Sequence, residues 1–156
     1  MNMNFRLPSN GGYNVLEGKV RRAVSLDSEP CLLLELRSTG TCFRRDNHDF
    51  MEVVEDFDLR LPQVVVLRSH FDTLLRALRQ WQVTQEPFSL DLDHGRDVTC
   101  TVEVRAHSDA ASDRWKPDFT LVYAGPKARI EVSFSVDASC LLEWTEGLEQ
   151  AVAIPH

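Results

Sequence analysis

The sequence contains no CxxC pair, and Cys31, Cys42, Cys100 and Cys140 stand far apart. Three of them lie inside apolar or strand-like runs, where a thiol packs as a small hydrophobe. Neither a disulfide framework nor a zinc site is indicated. No apolar run approaches the ~20 residues that a membrane-spanning helix requires. The opening MNMNFRLPSNGG lacks the charged and apolar regions of a signal peptide, which predicts a cytoplasmic protein. No Gly-rich phosphate loop follows a strand, and neither GxSxG nor HExxH occurs. His48, His70, His94, His107 and His156 show no ligand spacing. These absences predict a binding protein rather than an enzyme, with no cofactor and no metal.

The composition is that of a soluble globular chain, and 156 residues suffice for one domain with a full core. The formal net charge is −7. Asp46, Asp49, Glu52, Glu55, Asp56 and Asp58 fall in one stretch without a lysine or arginine, and these six nearly account for the excess. An acidic surface opposes nucleic-acid phosphates and anionic membranes, so neither is expected as a partner. It favours association with a basic protein.

The stretch Val64–Gln82 organises the rest. After the β-branched run Val64–Leu67, Phe71, Leu74, Leu75, Leu78 and Trp81 recur at helical spacing. Ser69 stands where its hydroxyl can cap the first turn. A second helix is predicted from Asp137, its cap, through Leu141, Trp144, Leu148 and Val152. The amphipathic helices are placed at about 69–82 and 138–150. Val66–Leu78 and Val136–Leu148 both run from strand into helix, with too few identities to mark a duplication.

Residues 1–12 read as a polar lead. Strands are expected at Tyr13–Ser25, with a bulge near Gly18, at Cys31–Arg37, and more weakly at Thr41–Arg45. Phe57–Leu61 alternates with its acids outward, and Pro62 is expected to break it from Val64–Leu67. Phe88–Asp93, Val98–Ala106, Phe119–Tyr123 and Ala128–Val136 follow at the regular spacing of a meander. The predicted class is α+β: one domain over residues 1–156, an antiparallel sheet of about six to eight strands, and two helices on one face.

Asp91 and Asp93 share a strand face with Asp97 beyond the turn, and such carboxylates can hold a divalent cation. The alternating Leu90 and Leu92 explain the placement without chemistry. Trp115, in DRWKPDF, suits either an interface anchor or a cover for the open end of the sheet.

Over about residues 56–152, the pieces LRSHFDTLLRALRQW, FSLDLD, VTCTVEVRA and IEVSFSVDASCLLEWTEGL resemble, in order and periodicity, the WapI-type immunity proteins of polymorphic toxin systems. The resemblance implies a bacterial cytoplasmic immunity protein that binds and neutralises a cognate toxin domain with a basic surface. Asp46, Asp49, Glu52, Glu55, Asp56, Asp58 and Trp115 are then the expected contact residues. The alternative is an acidic secretion chaperone for an exported effector, although such chaperones lead with a helix. A third reading is a metal-dependent enzyme using Asp91, Asp93 and Asp97.

Overall fold

Strand-forming residues alternate with turn signals along most of the chain, and each run is realised as a strand in the computed structural model. It describes residues 4–45, 51–93, 97–106 and 116–153, excepting the side chains of 4, 42–45 and 51–54. The elements are β1 (Asn4–Pro8), β2 (Asn14–Leu26), β3 (Glu29–Arg45), β4 (Met51–Leu67), α1 (Arg68–Thr84), β5 (Phe88–Asp91), β6 (Thr99–Arg105), β7 (Asp118–Ala124), β8 (Arg129–Ser135) and α2 (Ala138–Ala153). The class is α+β. The eight strands divide into two antiparallel sheets rather than one, ordered β1-β2-β3-β4 and β5-β6-β7-β8.

The first sheet differs most from the expectation. Asn4–Pro8 belongs to a strand and not to a polar lead, because Phe5 and Leu7 enter the core at 2% and 0% exposure. Gly11 and Gly12 (φ 87° and 79°) turn the chain into β2 in a left-handed conformation that suits glycine. The β2–β3 hairpin closes through Asp27 and Ser28, both at positive φ, as a two-residue turn matched to the strand twist. Cys31–Arg37 and Thr41–Arg45 are parts of one strand, β3. Likewise Phe57–Leu61 and Val64–Leu67 are parts of β4, and Pro62 is absorbed at a register shift opposite Leu34 and Leu36. The bulge in β2 lies at Arg21, between Val20 and Arg22, and not at Gly18. A Cβ on Gly18 would stand 2.6 Å from the Phe5 ring and 2.8 Å from the Glu35 carbonyl, so the position is glycine for close packing.

The helices begin differently. Asp137 accepts hydrogen bonds from the Ser139 backbone N–H (3.0 Å) and hydroxyl (2.9 Å), as its capping position predicts. Ser69 caps nothing. Leu67 occupies the N-cap of α1 without a side-chain bond, and its own N–H donates to the Leu92 carbonyl of the second sheet. That bond draws the strand directly into the helix, leaving Ser69 inside the first turn. At the far end Gln85 (φ 58°) donates its N–H to the Trp81 carbonyl and stops the helix.

Both helical stripes and the inner faces of both sheets share one core. Leu16, Leu34 and Leu36 of the first sheet meet Cys100, Val102 and Leu121 of the second around Phe71, Leu74, Trp144 and Leu148. Phe71, Leu74, Leu78 and Trp81 of α1 are buried, and the buried Leu141, Trp144, Leu148 and Ala151 of α2 follow at a constant offset of seventy residues. Val66 and Val136, both at 0% exposure, keep the same offset. The four-strands-then-helix order thus recurs in three dimensions where few residues are identical.

Three substitutions test these assignments. Asp137→Ala should lower unfolding free energy by about 1 kcal/mol, whereas Ser69→Ala should change it by less than ~0.5 kcal/mol, both read by urea denaturation. Gly18→Ala should cost about 1–3 kcal/mol through overpacking against Phe5, measured in the same way.

Candidate functional site

The acidic stretch does not form one uncompensated patch among the described residues. Asp46, Asp49 and Trp115 lie outside those residues, and of Glu52 only its place on β4, opposite Arg44, is described. Asp56 and Asp58 point to the outer face of the first sheet, while Glu55, one residue away, points to the other. Asp58 is clamped by Arg37 in a bidentate pair (3.0 and 2.9 Å) and is bonded again by Arg60 (3.2 Å). Asp56 accepts the Thr41 hydroxyl (2.9 Å). The two guanidiniums hold the Asp58 carboxyl down at about 2, from an ordinary 3.8, and Asp58 in turn raises Arg37. The expectation of an acid-only surface therefore fails at Asp58, because cross-strand pairing brings bases from elsewhere in the chain.

Those bases define a different face. The register places Arg6, Glu17, Arg37 and Arg60 in one row across β1, β2, β3 and β4. Lys19 and Glu35 form the neighbouring pair, with Nζ 3.1 Å from the carboxylate. The bulge at Arg21 turns it and Arg22 beside this row. Lys19, through its hydrogen bond, does most to hold Glu35 below its usual value, and the charges of Arg21 and Arg60 add to the effect. Glu17, Lys19, Glu35, Arg37, Arg60 and Pro62 line a groove of about 410 Å³, with Gly18 and Leu36 at its floor. That is the size range of pockets that hold a small organic group. Among the described residues, Arg6, Arg21 and Arg22 are exposed and make no ion pair. So in a chain of net charge −7, the outer face of the first sheet carries, among the described residues, more bases than acids.

None of this basic face was singled out by sequence reasoning. The signal was present as Lys19, Arg37 and Arg60 at outward positions of alternating strands. Each stands two residues from an acid of its own strand, Glu17, Glu35 or Asp58, so the only local cluster among the bases of this face is the short Lys19-Val20-Arg21-Arg22.

The second sheet's outer face pairs its acids with hydroxyls and with two arginines, Arg105 reaching Glu103 (3.2 Å) and Arg129 reaching Glu131 (3.7 Å). Thr101 donates to Asp91 (2.9 Å), Ser89 to Glu103 (3.0 Å), and Ser135 to Asp118 (2.8 Å). Asp93 turns away from Asp91 to accept the Cys100 backbone N–H (3.2 Å), so the two carboxylates do not converge. Among the described residues no three His, Cys, Asp or Glu side chains are grouped to hold a metal ion. His70 donates through Nδ1 to the Asp93 carbonyl (3.1 Å), which fixes its tautomer. Burial pushes the Cys100 thiol up to about 12, so it is an inert core group, and Cys31 is raised for the same reason.

No protein-family model and no curated protein sequence matches the chain. Solved structures with a similar course include WHY3 from Arabidopsis thaliana, at 10% identity and a TM-score of 0.46, covering 97% of this chain and 86% of that one. The plant transcriptional regulator PBF-2 aligns at 11% identity and a TM-score of 0.45, covering 96% and 80%. WHY1 from Arabidopsis thaliana aligns at 8% identity and a TM-score of 0.46, covering 97% and 89%. The cross-strand bases at Asp58 remove the acid-only surface that a toxin-neutralising immunity protein required, and that expectation finds no counterpart among these neighbours. They are plant proteins, one a transcriptional regulator, and none is described as a toxin inhibitor. The expected toxin partner and the exclusion of nucleic acid are withdrawn with it.

The Asp58 clamp has a predictable pH dependence. A carboxyl depressed on folding stabilises the protein above its unfolded value and loses that contribution as pH falls through its folded one. The melting temperature of Asp58→Asn should therefore fall below that of the parent at neutral pH. The gap should close as pH drops from 3.8 to about 2.

Proposed function

We propose that the chain is a non-enzymatic module that binds single-stranded nucleic acid along the outer face of its first sheet. The observation that supports this most is the segregation of Arg6, Lys19, Arg21, Arg22, Arg37 and Arg60 onto one face of an otherwise acidic molecule. Arg6, Arg21 and Arg22 are exposed and lie beside the groove, positions suited to phosphate oxygens. Lys19, Arg37 and Arg60 are held in fixed geometry by Glu35 and Asp58, which keeps the bases oriented and tempers the field. The groove is of a size to take one nucleotide unit of a flexible strand.

Among the described residues that line the groove none is aromatic, so base stacking there contributes little and binding should be indifferent to sequence. The acidic remainder of the chain sets a counter-field that weakens binding, and the phosphate contacts themselves make it depend on salt.

Fluorescence anisotropy with a labelled single-stranded oligonucleotide at graded salt tests the reading. Neutralising Arg6, Arg21 and Arg22 together should flatten the plot of log K against log salt by about 2, since each phosphate contact on a single strand contributes roughly 0.7. Arg105→Ala with Arg129→Ala, on the second sheet, should leave it unchanged. Absence of binding by the parent at low salt would defeat the proposal.

A further inference from the structure

β4 is an edge strand of the first sheet, and among the described residues β3 is its only strand partner. An open edge is a row of unpaired N–H and C=O groups, ready to pair with another strand. Within it, Phe57-Asp58-Leu59-Arg60-Leu61 alternates apolar, acid, apolar, base, apolar. Leu59 is 40% exposed, one of few large apolar side chains so open to solvent.

We propose that this edge pairs antiparallel with the same edge of a second copy, centred on Leu59. In that register Leu59 lies opposite Leu59, Phe57 opposite Leu61, and Asp58 opposite Arg60, the last two twice by symmetry. Like meets like in burial, and unlike meets unlike in charge. The neighbouring registers fail this match. Centring on Asp58 or on Arg60 sets identical charges face to face, and centring on Phe57 sets Asp56 against Asp58. Since faces alternate along a strand, the apolar pairs fall on the core side and the ion pairs on the outer side.

The flanks limit the contact to one partner. Pro62 has no N–H to donate, and pairing beyond the five residues would set Asp56 against it. The dyad consumes the β4 edge, and the opposite edge, β1, is only five residues long. The contact is small, so the dimer is a reversible one. The pairing does not rest on nucleic-acid binding and is tested without it.

Sedimentation velocity of the whole chain over a concentration series is the test. The parent should show a concentration-dependent dimer, and Leu59→Lys, which sets two ammonium groups on the axis, should remain a monomer with an unchanged melting temperature. Under mild oxidation Leu59→Cys should form a disulfide-linked dimer, because symmetry brings the two side chains together, whereas Val83→Cys, at the 84%-exposed position on α1, should not. A parent that stays monomeric at its highest soluble concentration would overturn the proposal. So would a dimer that survives Leu59→Lys.

Discussion

Trp144 stands between the two sheets, in a core otherwise lined mainly by aliphatic side chains. Its ring meets Phe119 of β7 edge to face at 5.1 Å and Phe5 of β1 at 6.4 Å, with interplanar angles of 79° and 75°. Edge-to-face pairs of this kind add about 0.5–1.5 kcal/mol beyond the area they bury. Phe119 in turn packs on Phe134 of β8. One side chain on α2 thus joins the outermost strand of the first sheet to the middle of the second. The requirement that Gly18 leave room for the Phe5 ring follows from that contact.

With the inner faces committed to the core, function is left to the outer faces, and these differ in character. On the second sheet the acids are shared between hydroxyls and, at Glu103 and Glu131, the arginines Arg105 and Arg129 of the same strands. On the first sheet the acids are outnumbered, and the register decides which bases they meet. Asp58 meets Arg37 across the strand pair, twenty-one residues away in sequence. Exposed pairs of this kind add little to stability, so their main effect is to set the orientation of the bases and the local field.

The α+β class and both helices were legible because their apolar positions repeat strictly. Phe71, Leu74, Leu78 and Trp81 leave no other reading, and Asp137 marks the start of its helix locally. β1 was not legible, since two apolar residues in five, followed by Pro8 and two glycines, resemble a loose end until Trp144 is seen to cover Phe5. Long β3 and β4 were cut into pieces because Ser38-Thr39-Gly40 and Pro62 are ordinary breakers. Gly40 is instead a strand residue over which the Phe57 ring packs, and Pro62 sits in a bulge. The basic face was hidden for a deeper reason. Its members come from four strands, and only the register, which no single segment encodes, assembles them.

The contact between Phe5 and Trp144 spans nearly the whole described chain, and this orders events during synthesis. The four strands of the first sheet leave the ribosome in succession and pair with their immediate neighbours, as a meander allows. Their inner face has no lid at that stage, because Phe119 follows much later and Trp144 later still. A nascent chain halted between β4 and α2 would carry a complete hydrogen-bonded sheet with Phe5, Leu7, Leu16 and Leu34 open to solvent on one side. The last helix to emerge is therefore the one that makes the first strand safe from aggregation.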